Sequence, residues 1–138
     1  MFTIAVCDDD MQERMQEVQI VKNIFSQKEL EAGIEEFQTG QHFLDVLHRV
    51  PYDIVLLDIQ MGEVSGFTLA EELYKITGGE NIIFVSSMEN LVFESIHFRP
   101  FRFVRKSHLE EELTEAVESW IQQNTKTECL EFDETGGV

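Results

Sequence analysis

The chain has 138 residues, 43% of them hydrophobic, which is enough for one ordinary domain to bury a core without disulfides or a structural metal. Its 27 acidic residues against 10 basic ones give a formal charge of -17, which repels nucleic acid and anionic membrane, so any DNA contact has to belong to another domain. Two cysteines, Cys7 inside an apolar run and Cys129 near the end, form neither a disulfide framework nor a zinc spacing and suit a reducing cytoplasm.

The start, MFTIAVCDDD, lacks the cationic head and apolar run of a signal peptide, and no stretch nears the ~18 apolar residues of a membrane span. A soluble, cytoplasmic chain is expected. The first strand is FTIAVC, residues 2 to 7. Met11, Met15, Val18, Val21 and Phe25 then recur at spacings of three and four, a single helical stripe. A weaker strand around Ile34 to Phe37 leads through Thr39-Gly40 into a short helix with Phe43, Leu44 and Leu47, ended by Pro51. The third strand is Tyr52 to Leu57. After MGEVSG a helix carries Leu69, Ala70, Leu73 and Ile76, and Gly78-Gly79 closes it. The fourth strand is NIIFVS, residues 81 to 86, followed by a short helix over Glu89 to Ile96 and by FRFVR, residues 101 to 105, as the fifth strand. Ser107 and Glu110 have capping-box spacing before a last helix with Leu109, Leu113, Val117 and Trp120 inward. Beyond Gln123 the apolar period stops, and residues 124–138 are expected to be a linker with the opening strand of a further domain.

Apolar, β-branched runs alternating with helical segments imply repeated β-α units and a doubly wound parallel sheet. In such sheets ligands bind beyond the carboxyl ends of the strands. Those ends carry Asp8, Asp9 and Asp10, then Asp58, Ser86 and Lys106. A carboxylate directly behind the apolar run IVLL needs a compensating partner. Asp8, Asp9 and Asp58 make an oxygen-rich site suited to a hard cation such as magnesium, and Lys106 can pair with Asp58 or with a phosphoryl group. Singly, each residue has a plainer reading: Asp58 as a turn residue, the Asp triplet as a helix cap, Ser86 and Lys106 as strand-end side chains. Their joint placement is the signal. The triplet is not an EF-hand loop, because its carboxylates are contiguous and Arg14 stands where the turn glycine belongs. His42, His48, His97 and His108 show no metal-ligand spacing, and Cys7 and Phe101 read as core.

Together these residues resemble the receiver domains of bacterial two-component response regulators, over residues 2 to about 123. The resemblance implies a flavodoxin-like five-stranded sheet in the order 2-1-3-4-5. In IAVCDDD it makes Asp8 and Asp9 magnesium ligands. In VLLDIQMGEVSG it makes Asp58 the phosphoacceptor and Gln60 the residue whose backbone carbonyl completes the metal shell. Ser86 becomes the hydroxyl that contacts the phosphoryl group, Ser87 its small neighbour, Lys106 the site lysine and Phe103 the aromatic switch. The family further implies a sensor histidine kinase as donor, a phosphorylation-dependent homodimer and slow autodephosphorylation, with DNA reached only through an output domain. Within the family, CDDD, PFRFVRKSHLEEEL and CLEFDETGGV look most like regulators of the LytTR type, which makes this chain a receiver lacking its DNA-binding domain.

Two positions depart from the family pattern. Gly62 stands where proline usually follows Met61, and Ser107 stands where proline usually follows the lysine through a bond that is commonly cis. Without that proline a cis bond loses most of its support, so Lys106-Ser107 is expected to be trans, with Ser107 free to cap the last helix. Arg99, Arg102 and Arg105 could be solvated or could pair with the last helix across a dimer. An enzyme rival, a magnesium-dependent phosphatase or phosphotransferase with an aspartyl nucleophile, would want an Asp-x-Asp pair and a substrate cap, neither of which is visible. A flavin carrier would need a glycine- and hydroxyl-rich loop where Asp-Asp-Asp stands.

Overall fold

The computed structural model describes residues 1–136 along the backbone, and residues 1–125 in their side chains. Five parallel strands, β1 (Phe2–Cys7), β2 (Ala32–Phe37), β3 (Ile54–Leu57), β4 (Ile82–Ser86) and β5 (Arg102–Arg105), lie in the order β2-β1-β3-β4-β5. Their connections are α1 (Met11–Gln27), α2 (Gly40–Val46), α3 (Gly66–Thr77) and α4 (Val92–Ile96), with α5 (Leu109–Gly136) after the last strand. Three-residue 3-10 turns precede α4 at Glu89–Leu91 and α5 at Lys106–His108. This is the flavodoxin-like topology expected from the sequence.

Alternation along each strand divides the core in two, because successive side chains leave opposite faces of a sheet. Ile4, Val6, Ile54, Leu56, Ile83 and Val85 face one way, against Val21, Ile24 and Phe25 of α1 and Leu113, Val117 and Trp120 of α5. Ala5, Cys7, Val55, Leu57, Ile82 and Phe84 face the other way, against Phe43 of α2 and Leu69, Ala70 and Leu73 of α3. Because β3 and β4 are buried on both faces, they read as unbroken apolar runs. Cys7 is wholly buried, and burial pushes its thiol pKa up, which fits a packing role.

The stripe expected on α1 is corrected. Met11 and Met15 are exposed, while Glu17 is wholly buried beside Val18, Val21, Ile24 and Phe25. Glu17 keeps the phase of Val21, Ile24 and Phe25 along the helix, whereas Met11 and Met15 fall off that face. Ile76 of α3 is likewise exposed. At the chain's end α5 continues to Gly136, so the segment expected as linker and opening strand is helical here. Cys129 lies outside the described side chains.

Candidate functional site

The three consecutive aspartates after β1 do three different things. Asp8 turns inward and is wholly buried, its Oδ1 accepting from the Asp10 amide at 2.9 Å. Asp9 is exposed. Asp10 is the N-cap of α1, accepting from the Glu13 amide at 3.0 Å. The cap satisfies one of the orphan amides of the helix start and fixes the turn that carries Glu13. Glu13 is not among the residues that sequence reasoning singled out, yet its carboxylate bonds the Lys106 ammonium.

Lys106 follows β5, and its ammonium reaches three carboxylates: Asp8 Oδ2 at 2.9 Å, Asp58 Oδ2 at 3.1 Å, and Glu13. Asp58 sits where β3 ends, 6% exposed. Its Oδ1 accepts from the Gln60 amide at 3.3 Å, which leaves Oδ2 for the site. Burial pushes the Asp58 carboxyl up to about 6, with Lys106 pulling the other way and Asp8 adding to the rise. Burial also works against the Lys106 ammonium, but Glu13, Asp8 and Asp58 outweigh it and hold its pKa above the usual lysine value.

A second residue missed in the sequence is Glu17, one helical turn past Glu13. Both its carboxylate oxygens are buried and meet no donor, with Asp8 beside them, whose Oδ2 is paired with Lys106 at 2.9 Å. Burial, then the neighbouring Asp8, pushes the Glu17 pKa up to about 10, so it is uncharged at neutral pH. The available signal was spacing: stepping back from Val21 by four, and by four again, reaches Glu17 and Glu13.

The remaining expected residues lie around this cluster. Ser86 ends β4, is 1% exposed, and its Oγ accepts from the Met88 amide at 3.0 Å. Gln60 is exposed. Phe103 of β5 is half-buried, its ring centroid 6.4 Å from that of Phe84, and it lines a cavity of about 370 Å³ with Val92, Arg102, Arg105 and Glu112. Gly62 has φ +73°, a left-handed conformation closed to proline, which accounts for the departure from the family pattern. A Cβ on Gly66 would lie 2.2 Å from the Asp58 carbonyl oxygen, so α3 begins in direct backbone contact with the site.

The Lys106-Ser107 bond is trans, there being no cis peptide among the described residues. Ser107 does not cap α5, however. Its hydroxyl contacts His108 Nδ1 at 2.9 Å and Glu89 at 3.3 Å, because Lys106–His108 forms a 3-10 turn that moves the helix start past it. Two of the three arginines pair within the chain, Arg102 with Glu115 at 3.4 Å and Arg105 with Glu112, while Arg99 is exposed. None of the four histidines joins the acidic cluster; His48 pairs with Glu72 at 3.2 Å and the His42 ring packs on Phe37.

The arrangement is a buried carboxylate, a fixed ammonium and a crowd of anionic oxygens at one edge of a sheet. The donor set of Asp8, Glu13 and Asp58 is all carboxylate, the chemistry that suits a hard divalent cation. In comparisons with known proteins, the family model described as response regulator receiver domain matches residues 4–118. Among curated proteins, the sensory transduction protein LytR of Staphylococcus epidermidis is 24% identical over 91 residues, 64% of this chain and 36% of that protein, so the chain spans about a third of the length of the relative it matches. Among solved structures, the response regulator TrrA from Thermotoga maritima in complex with Mg(2+)-BeF superposes with TM-score 0.71 at 24% identity, covering 87% of this chain and 99% of that one. Full-length FixJ from B. japonicum gives 0.72 at 23%, covering 88% of this chain and 58% of that one. The fold is common to these two structures and this chain.

Proposed function

The chain belongs to the response regulator receiver domain family, and from that premise we propose that it is a phosphorylation switch whose acceptor is Asp58. The observation that carries this is the contact of the buried Asp58 carboxylate with Lys106 at 3.1 Å, at the end of β3 and beside Asp8. A carboxylate oxygen of Asp58 attacks the phosphorus of a phosphohistidine on a sensor kinase. The phosphorus–nitrogen bond breaks, its electron pair stays on the imidazole nitrogen, and an acyl phosphate forms on Asp58. Lys106, held by its carboxylate neighbours, is positioned to bind an oxygen of the transferring group. Asp8, Asp9, Asp58 and the Gln60 carbonyl would hold magnesium, which supplies charge neutralisation at the phosphoryl oxygens. The Mg(2+)-BeF complex of the TrrA regulator supports that choice of ion. Such a site transfers and slowly releases its own phosphoryl group and is not an enzyme in the metabolic sense.

Ser86 is the residue that can pass the event on. In giving up the Met88 amide to bond a phosphoryl oxygen, it would draw in the loop after β4 and make room for Phe103 to turn inward. The surface of α4, β5 and α5 would change, and with it homodimerisation and an output domain of the transcriptional, LytTR type suggested by the curated relative. The test is mass measurement after incubation with magnesium and a small phosphodonor. One added phosphoryl group, absent from Asp58→Ala, is expected; a gain that survives Asp58→Ala sinks the reading.

A further inference from the structure

We infer that Glu89, on the loop after β4, is a positioning residue for Lys106: it grips the residues on either side of the lysine and so helps to aim the ammonium at the transferring group. The inference rests on the reading of Asp58 and Lys106 given above, and adds a residue to it. The two carboxylate oxygens of Glu89 are divided between two donors. Oε1 lies 3.9 Å from Arg105 Nη1, and Oε2 accepts from the Ser107 hydroxyl at 3.3 Å. Lys106, between these two residues, sends its ammonium the other way, to Asp8, Asp58 and Glu13. With its one proton given to Glu89, the Ser107 hydroxyl accepts from His108 Nδ1 at 2.9 Å, so the last residue of the turn joins the same chain of contacts.

The turn needs a hold from outside. Lys106–His108 is a single 3-10 turn, a poorer hydrogen-bonding geometry than an α-helix, and no side chain caps its start. Arg105 has a second anchor in Glu112, which accepts from its amide at 2.9 Å and from its Nε at 2.8 Å. Among the described residues, the Ser107 hydroxyl meets no element other than the loop that carries Glu89. From within, the turn is held by the bonds of the ammonium to its carboxylates, and those are the bonds exchanged when the ammonium takes a phosphoryl oxygen. The grip of Glu89 does not pass through the ammonium and survives that exchange. Glu89 is exposed, and its contacts are weak as stabilisers. They matter to chemistry on another scale, since a misplacement of ~1 Å in a positioned group can cost ~10²-fold in rate. Glu89 also follows Met88, whose amide is held by the Ser86 hydroxyl at 3.0 Å, so the aim of the lysine depends on where that loop stands.

The test is a double-mutant cycle, read as the rate of phosphoryl gain in mass spectra with magnesium and a small phosphodonor. Glu89→Ala should slow the gain ~5-fold or more, and Glu89→Gln, which can still accept from Ser107, should slow it less. In a Lys106→Met background, slow to begin with, Glu89→Ala should bring no further loss, because a residue that acts through the lysine then has nothing to position. Glu89→Ala should melt with the unmodified chain, Arg105 keeping its bonds to Glu112. An unchanged rate in Glu89→Ala, or the same loss with and without Lys106, overturns the inference while leaving Asp58 as the acceptor. No phosphoryl gain by the unmodified chain overturns both.

Discussion

At the amino ends of the strands the buried polar groups are partnered. Asn81 donates to the Tyr52 carbonyl at 3.0 Å and accepts from the Thr77 hydroxyl at 2.9 Å, and Asp53 accepts from the Thr3 amide at 2.7 Å. At the carboxyl ends, both oxygens of Glu17 are buried without a donor, and three carboxylates, Asp8, Glu13 and Asp58, crowd around the single ammonium of Lys106. The first arrangement ties α3 to the sheet and is complete as it stands. The second is complete only with something added, and local rules tend to be broken where function is located. Stability and chemistry are thus assigned to opposite ends of the same strands.

That contrast can be broken at either end. The largest effect is expected from Asn81→Leu, which strands the Tyr52 carbonyl in the interior while the Thr77 hydroxyl keeps its bond to the Leu73 carbonyl; chemical denaturation should show a loss of about 2–3 kcal/mol. A loss below ~0.5 kcal/mol would show that the amino-end network is ornamental.

The opposite sign is expected at the other end. Glu17→Leu places an apolar group of similar size in an apolar face and should stabilise the metal-free protein by about 2 kcal/mol at neutral pH. The pH dependence identifies the cause. The folded state keeps a proton on Glu17 up to about 10, whereas the ordinary value is 4.5, so between those limits the folded state binds more protons. Stability from this group is therefore fully present below 4.5 and declines as pH rises toward 10, by up to ~1.4 kcal/mol per unit. Glu17→Leu should flatten that slope. Equal slopes in the two proteins would mean that Glu17 is paired after all.

Two smaller effects sharpen the picture at the rim. Ser107→Ala should cost less than ~0.5 kcal/mol, because the hydroxyl faces His108 and Glu89 in place of helix amides. Met88 stands two residues after Ser86 and gives its amide to the Ser86 hydroxyl, and an apolar side chain there cannot orient water for attack on the proposed acyl phosphate. Met88→Glu should lose its phosphoryl group a few times faster, as read from mass spectra over time, and matching decay curves would remove Met88 from the account.

Much of this was legible in the sequence because the strongest signals were strand-end signals. IVLLD announces a buried strand meeting a charge, and Asp8, Asp58, Ser86 and Lys106 each end or follow a strand in the structure as expected. The trans bond at Lys106-Ser107 was legible too, from the absence of proline. What was not legible concerned α1 and α5. Met11 and Met15 look like core and are exposed, while Glu17 looks like surface and is buried, because residue type was weighed above phase along the helix. Ser107 has the spacing of a cap, but spacing does not say that a 3-10 turn will take up the residues before the helix.

The contact of Gly66 with the Asp58 carbonyl gives the first turn of α3 no independent coordinate. With no room for an atom between them, and with the Gly66 amide bonded to the Ile59 carbonyl at 2.8 Å, the helix start must follow the β3 backbone wherever it goes. The next residue, Phe67, stacks on Phe98 with ring centroids 5.4 Å apart and meets Phe84 edge-on at 5.6 Å. A fluorine label on Phe67 is therefore a reporter read at a distance, its resonance registering a displacement at Asp58 without touching the chemistry that caused it.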